Sequence, residues 1–139
     1  MAEFSNYLEE QLLIHLFRTS TFTKPTTIYI AACTAAPSDT DTGSTITEPA
    51  GGSYARVQLE PADANWTDPS AGTQGETDNA AAITFPEATG SWGTITHVAI
   101  VDASSAGNLW AYTALDASKV IGSGDTLEFA IGDLNIQLD

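Results

Sequence analysis

The chain has 139 residues, of which 42% are hydrophobic and 16% are charged, and it carries a net charge of −14. This length predicts one domain over residues 1–139, with enough apolar residues for a single core. Eighteen acidic residues face only four basic ones, Arg18, Lys24, Arg56 and Lys119, which argues against nucleic acid or an anionic membrane surface as a partner.

An amphipathic helix is predicted near the N-terminus. Leu8, Leu12 and Leu16 repeat every four residues, the spacing that places side chains on one face of a helix. Ser5 or Asn6 can cap its start. The leucine stripe fits two arrangements: packing on the domain's own sheet, or a seam against a second copy of the chain.

After Pro25 the apolar pattern changes to an alternation of period two, which predicts strands. The strand at 94–102 is partly apolar on both faces, as is typical of a central strand. Two long polar loops, 36–52 and 61–79, are predicted to be disordered or to make contacts. The predicted strands cover residues 26–33, 53–59, 80–85, 94–102, 109–115, 126–131 and 134–138.

These elements together predict the fold class. About seven short strands separated by Gly-rich turns are typical of a sandwich or a jelly roll. We therefore expect a mainly β protein in which residues 25–139 form a single β-sandwich or jelly-roll-like domain. An arm and the amphipathic helix, at residues 1–24, precede it.

Few residues suggest catalysis or metal binding. Cys33, the single cysteine, ends an apolar run and is predicted to be a buried, inert thiol. His97 is predicted to be a core or half-buried histidine, and no zinc-ligand spacing accompanies it. The acidic turn at residues 38–43 fits an exposed turn or an irregular cation site; an EF-hand is excluded because Ala50 stands at loop position 12. We expect no enzyme and no cofactor, with a small hydrolase as the weakest alternative.

The three tryptophans are the large anchors of the sequence. Trp110 alternates in phase with Tyr112, which predicts that both lie on one face of their strand. Trp66 stands in the second polar loop and Trp92 in a Gly-containing turn. Such residues either fill the core or contact a partner.

Several motifs, taken in order, resemble a known family. The helix sequence Asn-Tyr-Leu-Glu is followed by Gly-Gly-Ser-Tyr-Ala-Arg-Val at residues 51–57 and by Trp-Gly-Thr-Ile-Thr-His at residues 92–97. The chain closes with Gly-Asp-Thr-Leu-Glu-Phe at residues 124–129. Over nearly its whole length, the chain resembles the small tailed-phage virion structural proteins that are labelled head decoration (cement) or tail fibre proteins.

The resemblance implies a β-sandwich that assembles as a homotrimer and acts by binding. The leading hypothesis is a capsid decoration protein, assembled in the host cytoplasm, which sits on the capsid surface of the virion and stabilises the lattice of the major capsid protein. The alternative is a tail-fibre or tail-tip adhesion module that binds a host-surface glycan. Besides the two long loops, the predicted contact residues are Phe4, Tyr7, Leu8, Leu12, Trp66 and Trp92.

Overall fold

The computed structural model describes residues 2–72 and 74–138. The protein is mainly β with one helix near the N-terminus, which confirms the predicted fold class. Helix α1 spans Asn6–Phe17, and the strands are β1 (Glu3–Phe4), β2 (Tyr29–Cys33), β3 (Val57–Gln58), β4 (Glu76–Asp78), β5 (Ile83–Thr84), β6 (Gly93–Val101), β7 (Leu109–Ile121), β8 (Glu128–Phe129) and β9 (Asn135–Gln137).

One large antiparallel sheet organises the fold. Its strand order is β1–β7–β6–β2–β3, which confirms the prediction that the strand around residues 94–102 is central. Two smaller antiparallel sheets, β4–β9 and β5–β8, accompany it. Side chains from the large sheet and from the small sheets share one apolar core, as in a sandwich.

The centre of the large sheet is buried on both faces. Successive side chains of β2 alternate between two cores: Ile30 and Ala32 belong to the larger one, and Ala31 and Cys33 belong to a smaller one on the other face. All four of these residues have zero exposure. The short apolar run at 30–33 is therefore a strand buried on both sides.

The predicted loop 36–52 covers the smaller core. Ile46 packs into this core, and Pro37, Gly43 and Pro49 are buried along the same segment. A Cβ added at Gly43 would collide with the carbonyl group of Ala106, so only glycine permits this approach to the β6–β7 hairpin loop. Loop 36–52 is thus an ordered part of the domain, contrary to the disorder that its length and polarity suggested.

Arg56 fixes this loop to the rest of the fold. Its side chain is 3% exposed and forms a salt bridge with Glu48, with 2.7 Å between Nη2 and Oε2. The guanidinium also donates to the carbonyl oxygens of Gly43, Ala103 and Ala106, at 2.6, 2.7 and 2.9 Å. One side chain therefore joins β3, the covering loop and the hairpin loop.

All seven predicted strands have other bounds in the structure, and three departures from the prediction have a visible cause. Pairing near residues 53–59 is limited to β3, because Gly51, Gly52 and Ser53 have positive φ and turn the chain just before it. β4 lies inside the predicted loop 61–79, where a run of polar residues hides it from a hydrophobic pattern. β7 continues to Ile121, because its polar second half pairs with the start of β6.

Two register irregularities between β6 and β7 change which face a residue occupies. The first lies between Ile95 and His97. Strict alternation would place Ile95 and Ala99 on one face, but Ile95 lies in the larger core and Ala99 in the smaller one. The second skips Trp110, so that Trp110 and Tyr112 pack against different cores and the prediction that they share a face is wrong. β7 has three extra residues at the first irregularity and one at the second, and an odd number of extra residues reverses the alternation of side chains.

Helix α1 contributes no buried residue. Within the leucine stripe, Leu8 and Leu12 are half-buried, but Leu16 is 67% exposed. Packing on the domain's own sheet therefore accounts for only the first part of the stripe. No helix in the described residues is long and apolar enough to cross a bilayer.

Replacing Arg56 with methionine should lower the free energy of unfolding by about 3–5 kcal/mol, because it leaves a partly buried carboxylate and three carbonyl groups without their donor. Urea unfolding followed by circular dichroism measures this loss. The control, Arg18→Met, removes an exposed guanidinium and should change stability by less than about 0.5 kcal/mol. Equal effects of the two substitutions would contradict the role given to Arg56.

The thiol of Cys33 should be unreactive in the folded protein. Burial, followed by the nearby Glu48 carboxylate, raises the pKa of Cys33 to about 12. Because the folded pKa exceeds the unfolded value of about 8.5, the stability contribution of this thiol is complete below that pH and is lost as the pH rises towards 12. An aromatic disulfide reagent at neutral pH should modify Cys33 only after unfolding in urea. Modification of the native protein at the rate of a free thiol would refute this prediction.

Candidate functional site

An apolar cleft of about 720 Å³ lies beside the N-terminal arm. It is formed where the arm and the start of α1 meet the large sheet and the segment around residues 61–69. Three aromatic side chains, Phe4, Trp66 and Trp110, line it together with aliphatic residues. The remaining lining residues are Leu8, Lys24, Ile28, Pro61, Ala62, Asp63, Thr67, Asp68, Pro69, Thr77, Ile100, Ala111 and Ile136.

Ser5 positions the arm that forms one wall. The backbone of β1 pairs with β7, with Phe4 opposite Ala111. Ser5 is fully buried, and its hydroxyl donates to the Leu109 carbonyl at 2.5 Å and accepts from the Leu8 amide at 3.3 Å. It is thus the helix N-cap and also the tie between helix and sheet. This double role places Phe4 and Leu8, on either side of Ser5, at the cleft.

Trp110 reaches the cleft because it is the extra residue of a β-bulge. Its ring contacts Tyr7, at 6.1 Å between centroids, and Phe22, at 5.3 Å. Its Nε1 is the one buried side-chain nitrogen or oxygen without a hydrogen-bond partner among residues 2–72 and 74–138. Tyr7 and Phe22 therefore hold the indole by ring packing rather than by a polar contact.

Trp66 forms the opposite wall. Its indole N–H donates to the Glu60 carbonyl at 3.2 Å, and its backbone forms an isolated bridge with Asn79. Asn79 is fully buried; its amide donates to the carbonyl groups of Ala81 and Ala130 and accepts from the Leu134 amide, each at 2.8 Å. The segment bearing Trp66 is therefore anchored to the core, and Asn79 is a positioning residue that sequence patterns did not indicate.

Polar groups lie among the lining residues of this apolar cleft. Lys24 donates to the Pro61 carbonyl at 3.4 Å, which joins two lining residues. Asp68 accepts hydrogen bonds from the Ser70 hydroxyl and amide, and these bonds lower the pKa of the carboxyl group. At neutral pH this carboxylate accepts hydrogen bonds and does not supply a proton. An apolar lining with a few polar groups is the arrangement that orients a bound ligand.

The structure distributes the six predicted contact residues unevenly. Phe4, Leu8 and Trp66 line the cleft, and Tyr7 packs against its Trp110 wall. Leu12 is half-buried on α1 outside the lining. The prediction that Trp92 contacts a partner is wrong. Trp92 is 3% exposed in the core and its indole donates to the Gly52 carbonyl at 2.8 Å, so it offers almost no surface to a partner.

The acidic turn at 38–43 uses its carboxylates within the protein. Asp41 accepts from the Thr45 hydroxyl at 2.7 Å and from the Ser38 amide at 2.7 Å, and these bonds lower its pKa. Asp39 accepts from the Tyr112 hydroxyl at 2.5 Å. In the part of the chain that the structure describes, no three His, Cys, Asp or Glu side chains form a group that could hold a metal ion. His97 is half-buried, with Nδ1 2.9 Å from the Thr96 hydroxyl.

A comparison with protein families gives one match. The family model described as podophage GP4 fiber I protein gp80 matches residues 3–137. The match includes β1, the helix, the smaller core, the larger core apart from Ala2, and every lining residue of the cleft. No curated protein matches the chain.

Ser5→Ala should lower the free energy of unfolding by about 1–2 kcal/mol, because it removes an N-cap and leaves the buried Leu109 carbonyl without its hydroxyl donor. Thermal and urea unfolding measure the loss. Ser118→Ala on exposed β7 is the matched control and should leave stability unchanged. A Ser5 variant as stable as this control would show that the tie between arm and sheet contributes nothing.

Proposed function

The chain belongs to the family of podophage GP4 fiber I protein gp80, and on that premise we propose that it is a fibre component whose aromatic cleft binds a host-surface glycan. Membership of this family makes it a structural protein of the phage virion. The word fiber in the family description supports the fibre alternative. The observation that carries the proposed ligand is the cleft itself.

The chemistry of the cleft suits a sugar. A pyranose ring has an apolar face of C–H groups and a rim of hydroxyl groups. The indoles of Trp66 and Trp110 provide flat apolar surface for the face, and Lys24 and Asp68 provide a donor and an acceptor for the hydroxyls. The volume, about 720 Å³, falls within the range of ordinary small-ligand sites.

In this proposal the protein binds its ligand and does not transform it. The hydrogen bonds from Ser70 lower the pKa of Asp68, whereas the general acid of glycosidic cleavage needs a raised pKa. Burial and the Glu48 carboxylate raise the pKa of Cys33 to about 12, which keeps this thiol from acting as a nucleophile. Both observations support binding as the activity of the domain.

The second candidate is a capsid decoration protein that binds the lattice of the major capsid protein at the capsid surface. The observation that favours it is an exposed apolar stripe on α1, where Leu13, Leu16 and Phe17 are 58%, 67% and 78% exposed. Such a stripe suits a protein partner. A protein that binds only the assembled lattice would stabilise it by mass action, and many copies would add avidity.

The number of copies per virion should distinguish fibre from capsid. If the chain is a fibre component, quantitative mass spectrometry of purified particles should give a copy number that matches the fibre attachment sites. Antibody labelling seen by electron microscopy should then mark appendages. A copy number that matches the capsid lattice, with label over the whole head, would replace the fibre proposal with the decoration proposal.

Trp66→Ala should weaken binding of the protein to purified host-surface polysaccharide by roughly tenfold, because it removes one flat wall of the cleft. Isothermal titration or a surface-binding assay measures the change. The control is Tyr29→Ala, which alters a half-buried aromatic residue against the other core, outside the lining of the cleft. Binding that is equal in the wild type and the Trp66 variant would exclude the cleft as the glycan site.

A further inference from the structure

The charged residues of the aromatic cleft are two aspartates and one lysine. Asp63 and Asp68 lie on the segment that bears Trp66, and Lys24 is the third charged lining residue. All three charged residues are exposed. Two negative charges against one positive charge give the lining a formal net charge of −1. A mostly apolar cleft is therefore acidic where it is charged.

Lys24 does not cancel the charge of the two carboxylates. Its ammonium donates to the Pro61 carbonyl at 3.4 Å. In the part of the chain that the structure describes, neither Asp63 nor Asp68 forms an ion pair. The two hydrogen bonds from Ser70 both go to Oδ1 of Asp68, at 2.7 and 2.8 Å, so Oδ2 can accept a hydrogen bond from a ligand. Both aspartates thus keep their negative charge at the cleft.

Neighbouring residues add to this negative charge. Glu60 directly precedes the first lining residue of the Trp66 segment, and Glu76 and Asp78 flank the lining residue of β4. Arg56, the basic residue nearest to these in the chain, forms its salt bridge with Glu48. The chain as a whole carries a net charge of −14. An anionic ligand is therefore repelled by the lining at short range and by the whole molecule at longer range.

Carboxylates discriminate between neutral and acidic sugars by charge and by hydrogen bonding. An ionised aspartate only accepts hydrogen bonds, and a sugar hydroxyl is a donor with which it can pair. The carboxylate of a uronic acid has no proton to donate at neutral pH and carries the same charge as the aspartate. Two like charges in close contact repel each other more strongly where water is partly excluded. Specific binding sites use such repulsion to reject the wrong ligand.

We propose that the cleft binds uncharged sugars and rejects acidic ones. In this inference, which rests on the proposed function, the indoles of Trp66 and Trp110 contact the apolar face of a neutral sugar, and its hydroxyls donate to Asp63 and Asp68. A uronate or a phosphodiester at the same place meets both carboxylates and is excluded. The two aspartates are then the residues that determine which class of glycan is bound.

One polysaccharide in two charge states tests this specificity. The neutral fraction of the host-surface polysaccharide is isolated by anion exchange, and part of it is oxidised so that primary hydroxyl groups become carboxylates. Surface binding at low ionic strength should give the oxidised polymer a dissociation constant roughly tenfold or more above that of its parent. The difference should shrink at an ionic strength of about 1 M, where the Debye length is about 3 Å.

A charge reversal in the lining separates repulsion from the loss of the oxidised hydroxyl groups. Asp63→Lys combined with Asp68→Lys should bring the ratio of the two dissociation constants, oxidised over parent, down to about one or below, because the lining then attracts the new carboxylates. Glu10→Lys combined with Glu87→Lys makes the same change in net charge at exposed positions outside the lining. This control should keep the ratio of the wild type. Circular dichroism should show the same fold in all variants.

The outcomes separate a failure of this inference from a failure of the glycan proposal. An oxidised polymer that binds as tightly as its parent, or an acidic host fraction that binds more tightly than the neutral one, would overturn the specificity and leave the glycan site in place. A control that lowers the ratio as much as the lining variant would overturn the role of the two aspartates. If neither a neutral nor an acidic fraction binds at any ionic strength, the glycan function itself is refuted, and this inference with it.

Discussion

The buried guanidinium of Arg56 is the interaction on which the covered face of the large sheet depends. Glu48 neutralises its charge, and three carbonyl groups from two separate loops accept its remaining donors. Tyr54 adds to this network, because its hydroxyl donates to Glu48 and accepts from the Ala32 amide. A polar loop can therefore cover an apolar core without leaving buried polar groups unsatisfied.

This arrangement explains why a chain with few charged residues keeps a well-defined fold around long loops. The larger core is sealed by apolar side chains from the small sheets, whereas the smaller core is sealed by loop 36–52. Loss of Arg56 would release the loop and expose the Cys33 side of β2 to water. The acidic residues of the loop also hold it in place, because Asp39 and Asp41 accept hydrogen bonds from the hydroxyl groups of Tyr112 and Thr45.

The aromatic cleft and the exposed apolar stripe of α1 both depend on the arm. Ser5 ties α1 to β7 and so sets Phe4 and Leu8 against the bulged Trp110. The same tie leaves the second half of α1 projecting from the sheet with its apolar stripe uncovered. The N-terminal segment therefore lies between a candidate ligand site on one side and a candidate site for another chain on the other. A ligand in the cleft would stabilise the position of α1.

Local structure that follows from periodicity could be predicted from the residues alone. The spacing of the leucines and a capping serine predicted α1, and the two-sided apolar pattern predicted β6 as the central strand. The order of the short motifs predicted a phage virion structural protein. These features depend on neighbouring residues or on the linear order of the chain, so they can be read without knowing what packs against what.

Features that depend on contacts between distant residues could be found only in the folded structure. Two register irregularities moved Ile95 and Trp110 off the faces that alternation assigned to them, because an odd number of extra residues in one strand reverses every later side chain. Trp92 lies in the core, where its indole N–H donates to the carbonyl of Gly52, forty positions away in the chain. The polar strand β4 exists because β9 pairs with it. Arg56 holds the polar loop 36–52 in place. Its hydrogen-bond partners lie 8 to 50 residues away in the chain, so no local sequence pattern could predict them.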